Sequence, residues 1–415
     1  MTEKTNIPQG YKDSPLGIIP QEWEVKRLGD LCYNQGDYGL NAPAVEYSKD
    51  LPTYLRITDI DDNGKLNSTD KKSVNNPSAE DYYLNDGDIV FARTGATVGK
   101  AYLYSVKDGQ LVYAGFLIKF SPNPHMLLPY FLKVHTETQH YNNWVAITSQ
   151  RSGQPGINAT EYCSFRIALP PIKEQERICS VLQLWDTAIE KQSELIEKLK
   201  LCKRALMQQL LTGKKRLPGF SGEWKHVSLK SFATEVSIKN KENKDYNVLS
   251  CTKYDGLVPS LEYFGKQIYS NDLGNYKIVP MHHFAYATNH IEEGSIGYQS
   301  KYEYGLISPM YTVFKTDKDV IDDIFLFAVL KSHHLTYLYQ SMMEGSINRR
   351  GGLRWDSFST IKIDLPPLNE QKAISAFLKD ADKEIELANE KLASLQSQKR
   401  GLMQQLLTGK KRIKG

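Results

Sequence analysis

The sequence predicts an α/β (α+β) protein in which two mixed α/β domains are joined by two long antiparallel coiled-coil helices as a pseudo-twofold tandem repeat. Three observations predict it. The block Leu206-Met-Gln-Gln-Leu-Leu-Thr-Gly-Lys-Lys-Arg216 recurs unchanged as Leu402 to Arg412, an offset of 196 residues. Apolar residues inside each repeated block recur with a period of seven. The segments between the blocks are rich in aromatic residues, Gly and Asn, with short alternating runs typical of strands and turns. At 415 residues the chain is also too long for a single hydrophobic core.

The first domain, residues 1–168, contains strand-like runs such as Asp88-Ile-Val-Phe-Ala-Arg93 and Leu117-Ile-Lys-Phe120, and a helical stretch from Pro129 to His140. The second segment, 169–216, reads as one helix of about 40 residues, roughly 60 Å long. Pro170 and Pro171 break the preceding run and suit a helix start. Glu174 and Glu176 then fall in the first turn, where the helix dipole favours anions. Thr212-Gly213 is the stop, with Lys214-Lys215-Arg216 beside it. Leu182, Ile189, Ile196 and Leu210 form one apolar row, and Trp185, Leu199 and Leu206 another.

The third segment, 217–364, is a second mixed domain, with a strand-like run Tyr311-Thr-Val-Phe314 and a helical stretch from Ile321 to Ser341. Its entry, Gly222-Glu223-Trp224 followed by Leu229, echoes Gln21-Glu22-Trp23 followed by Leu28. The fourth segment, 365–415, repeats the helix. Leu365-Pro-Pro-Leu-Asn-Glu370-Gln371 matches Leu169-Pro-Pro-Ile-Lys-Glu174-Gln175, and the rows become Leu378, Ile385, Leu392, Leu406 and Ala381, Ala388, Leu395, Leu402. Lys203 and Lys399 interrupt the same row at the same register. The ends of the two halves are thus nearly identical, while their interiors have diverged.

Charge predicts how the helices meet. Segment 1–168 has 16 basic and 19 acidic residues, a net of −3, and segment 217–364 has 16 and 17, a net of −1. Each helical segment has 10 and 6, a net of +4. Within each helix the acids come first (Asp186, Glu190, Glu194, Glu197; Asp380, Asp382, Glu384, Glu386, Glu390) and the bases second (Lys198, Lys200, Lys203, Arg204; Lys391, Lys399, Arg400). Parallel pairing would set like on like, whereas antiparallel pairing sets each sign against its opposite.

Composition excludes several classes. No apolar run approaches the eighteen or so residues of a membrane span, and Met1-Thr2-Glu3-Lys4-Thr5-Asn6 lacks a signal-peptide layout. The five cysteines, Cys32, Cys163, Cys179, Cys202 and Cys251, include no Cys-x-x-Cys pair, which points to a reducing compartment. A soluble, cytoplasmic protein without a membrane partner is expected. There is no Asn/Asp-Pro-Pro-Tyr/Phe methyltransferase tetrapeptide, no Walker loop, and no His/Asp/Glu cluster with metal-ligand spacing. The triplets Glu242-Asn-Lys244 and Glu370-Gln-Lys372 are too short to mark a nuclease. Neither a catalytic site, a metal nor a bound cofactor is expected in this chain.

Two places in each interior suggest nucleic-acid contact. The glycine-rich turn Arg93-Thr94-Gly95-Ala96-Thr97-Val98-Gly99-Lys100 flanks small hydroxyl residues with cationic donors suited to phosphates and base edges. A turn that needs positive φ would use the same glycines. Its counterpart, Thr288 to Gly297, keeps the turn but changes the donors, Asn289 among them. The second place is Ser149 to Asn158, with Arg151, Gln154 and Asn158, matched by Gly345 to Trp355, with Arg349, Arg350 and Arg354. Arg, Gln and Asn can bond guanine or adenine in bidentate fashion, although a lone arginine more often serves a phosphate or the surface. The candidate DNA-binding residues are therefore Arg93, Thr94, Lys100, Arg151, Gln154, Asn158, Asn289, Arg349, Arg350 and Arg354.

These residues carry a family resemblance that spans nearly the whole chain. Leu16-Gly17-x-Ile19-Pro20-x-x-Trp23, the Arg-Thr-Gly-Ala-Thr-x-Gly-Lys turn at 93–100, and the twice-used Leu-Pro-Pro-x-x-Glu-Gln before a long helix resemble type I restriction-modification specificity subunits. The resemblance implies two target recognition domains (1–168 and 217–364) and two conserved spacer helices (169–216 and 365–415). It implies a double-stranded DNA target of two unlike half-sites separated by an unread gap. The implied partners are two modification (methyltransferase) subunits using S-adenosylmethionine and two restriction subunits driven by ATP with Mg²⁺; these cofactors would reside on the partners. The second half lacks the Arg-Thr-Gly-Ala turn, so residue roles do not transfer there. Other readings are a specificity subunit of a related two-component methylase or nuclease, an enzyme with a cryptic site, and a coiled-coil adaptor that binds protein but not DNA.

Overall fold

A computed structural model describes residues 7–67, 69–253, 255–344 and 352–413. It divides into two compact units: the described residues up to Ser193 together with those from Glu390 onward, and residues Glu194–Asn389. Each long helix crosses that division, after Ser193 in the first copy and after Asn389 in the second, which are equivalent positions at the repeat offset.

In the first unit an antiparallel sheet has the order Asp37–Tyr38, Leu117–Phe120, Ile89–Ala92, Ala101–Leu103. All four side chains of the strand Ile89–Ala92 are buried, because the sheet is covered on both faces. Side chains alternate between faces with period two. Ile89, Phe91, Ile118 and Phe120 join one core, with Phe131, Leu132, Tyr141 and Tyr162 of three short helices. Val90, Ala92 and Leu117 join another, with Leu55, Leu111 and Tyr113. The latter belongs to a second sheet, in which Leu111–Tyr113 runs parallel to Thr53–Leu55, followed by Lys72–Ser73 and Val45–Glu46.

The second unit repeats the first sheet. Ala233–Val236, Tyr311–Thr316, Phe284–Ala287 and Ile296–Tyr298 follow in the same order. Phe284, Tyr286 and Phe314 pack on Phe325, Leu326 and Tyr339 of the helices Asp323–Leu330 and His333–Glu344. Where the first unit has a second four-stranded sheet, this unit has two separate strand pairs, Leu249–Thr252 with Gly256–Pro259 and Lys277–Pro280 with Tyr304–Ile307. The divergence of the interiors is concentrated there.

A two-stranded antiparallel pair brings the ends of each interior together: Glu24–Arg27 with Arg166–Leu169, and Lys225–Ser228 with Lys362–Leu365. From each pair a long helix departs, Ile172–Leu210 or Leu368–Leu407. Gly213 and Gly409, with φ of +68° and +69°, end them in the left-handed conformation that favours glycine.

Ion pairs within each unit set the helix register. In the first, Glu174 meets Arg412 and Asp186 meets Lys399. Along one helix the residue number rises by 12 while along the other it falls by 13, so the helices run antiparallel. In the second unit Lys203 meets Asp382 and Arg216 meets Glu370, the same pairs with the two copies exchanged. The two lysines that interrupt the apolar row thus each face an acid of the other helix. Lys399 is almost fully buried and also bonds Glu137 of the first interior segment at 2.9 Å, with Asp186 at 2.7 Å. Burial works against its charge, but the two carboxylates outweigh it and raise its pKa. Of the predicted seam, Leu182, Ile196, Leu210, Leu378 and Leu406 are buried, and Ile189, Ile385 and Leu392 are half-buried.

The motif Leu-Pro-Pro-x-x-Glu-Gln joins each long helix to the interior segment before it. Gln175, wholly buried, donates to the carbonyls of Met126 (2.8 Å) and Pro170 (3.0 Å) and accepts from the Leu128 amide (3.0 Å). Gln371 does the same with Val320, Pro366 and Asp322. Beside each glutamine the glutamate makes a clasp. Glu174 accepts from the Trp23 indole at 3.0 Å and from Arg412 at 2.5 and 2.9 Å, and Arg412 lies over the Trp23 ring. Glu370, Trp224 and Arg216 repeat it. A buried carboxylate is tolerated here because an indole N–H and a guanidinium saturate it.

Candidate nucleic-acid interface

The strand Ile89–Ala92 ends at Arg93, and the next residues turn tightly. Gly95 and Gly99 have φ of +76° and +87°, which the turn requires. The Gly99 amide donates to the Ala92 carbonyl and the Ala92 amide to the Lys100 carbonyl. The loop 149–158, identified separately in the sequence, lies directly alongside. Thr94 bridges to Gly156, the Gly95 amide donates to the Pro155 carbonyl at 3.0 Å, and the Ile157 amide donates to the Arg93 carbonyl at 2.9 Å. A Cβ added to Gly95 would meet the Gln154 amide nitrogen, so Gln154 lies over this turn.

The side chains divide into two groups. Arg93 stacks over the Tyr38 ring, 4.7 Å to its centroid, and adjoins Thr94 and the exposed Gln154. Arg93 also reaches the Gly115 carbonyl at 3.5 Å, and Lys100, Arg151 and Asn158 are held by side-chain partners within the unit. Lys100 pairs with Asp62 at 2.7 Å, and its hydrogen bond holds the Asp62 carboxyl below its ordinary pKa. Arg151 donates one amino group to the Thr148 and Gln150 carbonyls and the other to both oxygens of Glu161. Asn158 caps the helix Ala159–Cys163: its side chain accepts from the Glu161 amide, and Glu161 accepts from the Asn158 amide. Arg151 and Asn158 thus tie the loop to the helix through one carboxylate.

The second unit has the same backbone plan. The strand Phe284–Ala287 ends at Thr288, whose carbonyl accepts from the Leu353 amide at 2.9 Å, as Arg93 accepts from Ile157. A Cβ on Gly352 would lie 2.0 Å from the Thr288 oxygen, so glycine is needed for this approach. Asn289 is exposed beside it. Arg354 occupies the position of Asn158, at the start of the helix Trp355–Phe358, but its side chain makes no cap bond. The residue three further on is Ser357 rather than a glutamate, and Arg354 is exposed with no ion-pair partner among the described residues. Lys331 donates to the Thr252, Lys253 and Gly294 carbonyls and so braces the turn, with burial lowering its pKa. Arg349 and Arg350 lie outside the described residues.

Three residues on these turns carried no sequence signal. The sequence does not single out Tyr38, Phe116 and Met310, since Phe116 and Met310 stand just outside the strand-like runs 117–120 and 311–314, yet each is open to water. Metal-ligand spacing, which the sequence did not suggest, does arise once among the described residues. The turn Ile291–Glu293 brings ligand atoms of His290, Glu292 and Glu293 within 4.8 Å of one another, at a largely exposed place. No described helix is long and apolar enough to cross a membrane.

Comparison with known proteins agrees with this geometry. The model of the type I restriction modification DNA specificity domain matches twice, over residues 20–201 and 222–397. The chain is 27% identical to the "Putative type I restriction enzyme MjaX specificity subunit" of Methanocaldococcus jannaschii, over 98% of this chain and 97% of that one. It is 24% identical to the type I restriction enzyme MjaVIII specificity subunit of the same organism, over 98% of both. Among solved structures, a chain from a study of complex assembly and conformational transition of the type I R-M system matches with a TM-score of 0.59. It has 18% identity and covers 94% of this chain and 99% of its own length. The S subunit of a type I restriction-modification system from M. genitalium matches with a TM-score of 0.52 and 14% identity, over 98% and 99%. At these identities the solved structures establish the fold.

Proposed function

The chain belongs to the type I restriction modification DNA specificity family, and from that premise we propose that it reads a bipartite double-stranded DNA target, one half-site per unit. One observation carries this reading. Two equivalent turns, at Arg93 and Thr288, accept the same backbone bond at their carbonyls, from Ile157 and Leu353, but present different side chains. A common frame with unlike readers is what two unlike half-sites demand.

The chemistry is recognition. Base edges are read by hydrogen bonds and apolar contacts, and phosphates by cations. The recognition segments carry net charges of −3 and −1, so they gain little from bulk phosphate attraction. Tight binding then requires partners to close around the duplex. Two methyltransferase subunits supplying S-adenosylmethionine chemistry, and two restriction subunits using ATP and Mg²⁺, fill that role; this chain supplies specificity and no catalytic group. The cytoplasm, where chromosomal DNA is marked, is the site of action.

The test is to express the chain with its modification subunits and map methylated adenines across the host genome. The expected result is one motif of two unlike half-sites with a constant unread gap. A single contiguous motif, or a motif independent of this chain, overturns the reading.

A further inference from the structure

Each unit exposes one large apolar side chain at the same place in its sheet. In the first unit Ala92 pairs with Leu117, so the residue before the second strand, Phe116, sits opposite Arg93. In the second unit Ala287 pairs with Tyr311, which puts Met310 opposite Thr288. Phe116 is 57% exposed and Met310 62%. Neighbours on these strands are buried: Leu117, Ile118 and Phe120 in one, Thr312, Val313 and Phe314 in the other.

The position is stiff in both units. The Arg93 amide donates to the Phe116 carbonyl at 3.0 Å, and the Gly115 amide donates to Leu40 at 2.8 Å. The Thr288 hydroxyl donates to the Met310 carbonyl at 2.9 Å, and the Tyr311 amide to Ser308 at 3.0 Å. Opposite Phe116 lies Arg93, whose guanidinium stacks on Tyr38 and donates to the carbonyl of Gly115, and the turn that follows Arg93 carries Thr94 and Gln154. Around Met310 lie Thr288 and Asn289. A single exposed apolar residue is ordinary; what is distinctive here is that its backbone is fixed at the same register in both units, although the residue itself changes.

We propose that Phe116 and Met310 are specificity-determining residues, each making an apolar contact with a base of its own half-site. The chemical partner is the thymine methyl group or the face of an unstacked base, the apolar features that a base pair offers. The neighbouring donors then bond the polar base edges. The change from Phe to Met alters the shape of the apolar reader between units, as the change from Arg93 to Thr288 alters the polar one. This rests on the DNA-reading function proposed above.

The experiment is methylome mapping with the full chain and its modification subunits, comparing the unaltered chain with Phe116→Ala, Met310→Ala and the control Val106→Ala, an exposed apolar residue of the first unit. Phe116→Ala is expected to relax one base position in one half-site about tenfold, the low end of a single-mismatch effect. Met310→Ala is expected to relax one position in the other, and Val106→Ala none. Because each variant leaves the other half-site as an internal control, a fold or assembly defect is visible as loss of both. An unchanged motif with Phe116→Ala and Met310→Ala, or relaxation of both half-sites by either variant in a complex of unaltered mass, overturns the inference alone. An unaltered chain that directs no bipartite motif overturns the reading beneath it.

Discussion

Replacing Lys399 by Met tests how the second long helix is held to the first recognition segment. Lys399 and Lys203 occupy the same place in the repeat but not the same environment. Lys399 is 9% exposed and lies between Glu137 and Asp186, and Asp186 also accepts from the Tyr130 hydroxyl. Lys203 is 21% exposed and, among the described residues, pairs only with Asp382, which is itself 62% exposed. Removing the cation from a fully buried pair costs about 3–5 kcal/mol. Glu137 and Asp186 retain about a third of their exposure and can rehydrate, so the cost falls to roughly 2 kcal/mol. Lys203→Met should cost no more than about 0.5–1 kcal/mol, since Asp382 returns to water. A chain of two units does not unfold as one two-state body, so a local readout is needed. Amide exchange in 390–407 should rise about thirtyfold in Lys399→Met, against about fivefold or less in 194–210 for Lys203→Met. Equal effects in the two variants would refute the reasoning, since burial between Glu137 and Asp186 would then add nothing to the Lys399 pair.

His135 is fully buried, with a ring nitrogen that no described group satisfies, and burial, aided by His140, lowers its pKa from 6.5 to about 3. The unfolded chain therefore binds a proton that the folded one does not, and stability is lost as pH falls from about 6.5 toward 3. At pH 5.5 the loss is about 1.4 kcal/mol; His135→Leu should remove that part of the acid sensitivity, as amide protection in 129–135, compared at pH 7.5 and 5.5 after correction for intrinsic exchange, will show. In DNA binding by the assembled complex, Arg354→Ala should weaken one half-site more than Arg151→Ala weakens the other, because Arg151 is spent on Glu161; a larger effect for Arg151 would mean that its loop rearranges on DNA. Seven residues added to both long helices, after Leu199 and after Ile385, should lengthen the unread gap by about three base pairs, from roughly 10 Å of helix. The same addition to the first helix alone puts either Glu174 and Arg412 or Arg216 and Glu370 out of register, and complex assembly measured by mass should fail.

The long helices were legible because a heptad repeat, a proline start and a glycine stop are local signals, and the duplication marked both copies. The opposed charges predicted the antiparallel register that Asp186 with Lys399 and Lys203 with Asp382 display. Less could be read where partners are distant in sequence. Glu174 was read as an answer to the helix dipole; its clasp with Trp23 and Arg412 needs residues from the far ends of the chain. The parallel pairing of Leu111–Tyr113 with Thr53–Leu55 has no local signature either. At the candidate interface, sequence located both loops but not their contact, nor that Arg151 and Asn158 share Glu161. Phe116 and Met310 carried no signal of their own, and only the strand register shows that they stand opposite Arg93 and Thr288.

The central claim is that each unit reads one half-site independently on a common frame. The most direct measurement is the methylated motif directed by a chimera in which residues 224–364 are replaced by a second copy of 23–168. The equivalent strand pairs and clasps at both junctions make this exchange compatible with the frame. The account predicts a motif built from the first unit's half-site used twice, with the gap unchanged. Retention of the original asymmetric motif by an assembled chimera would contradict it.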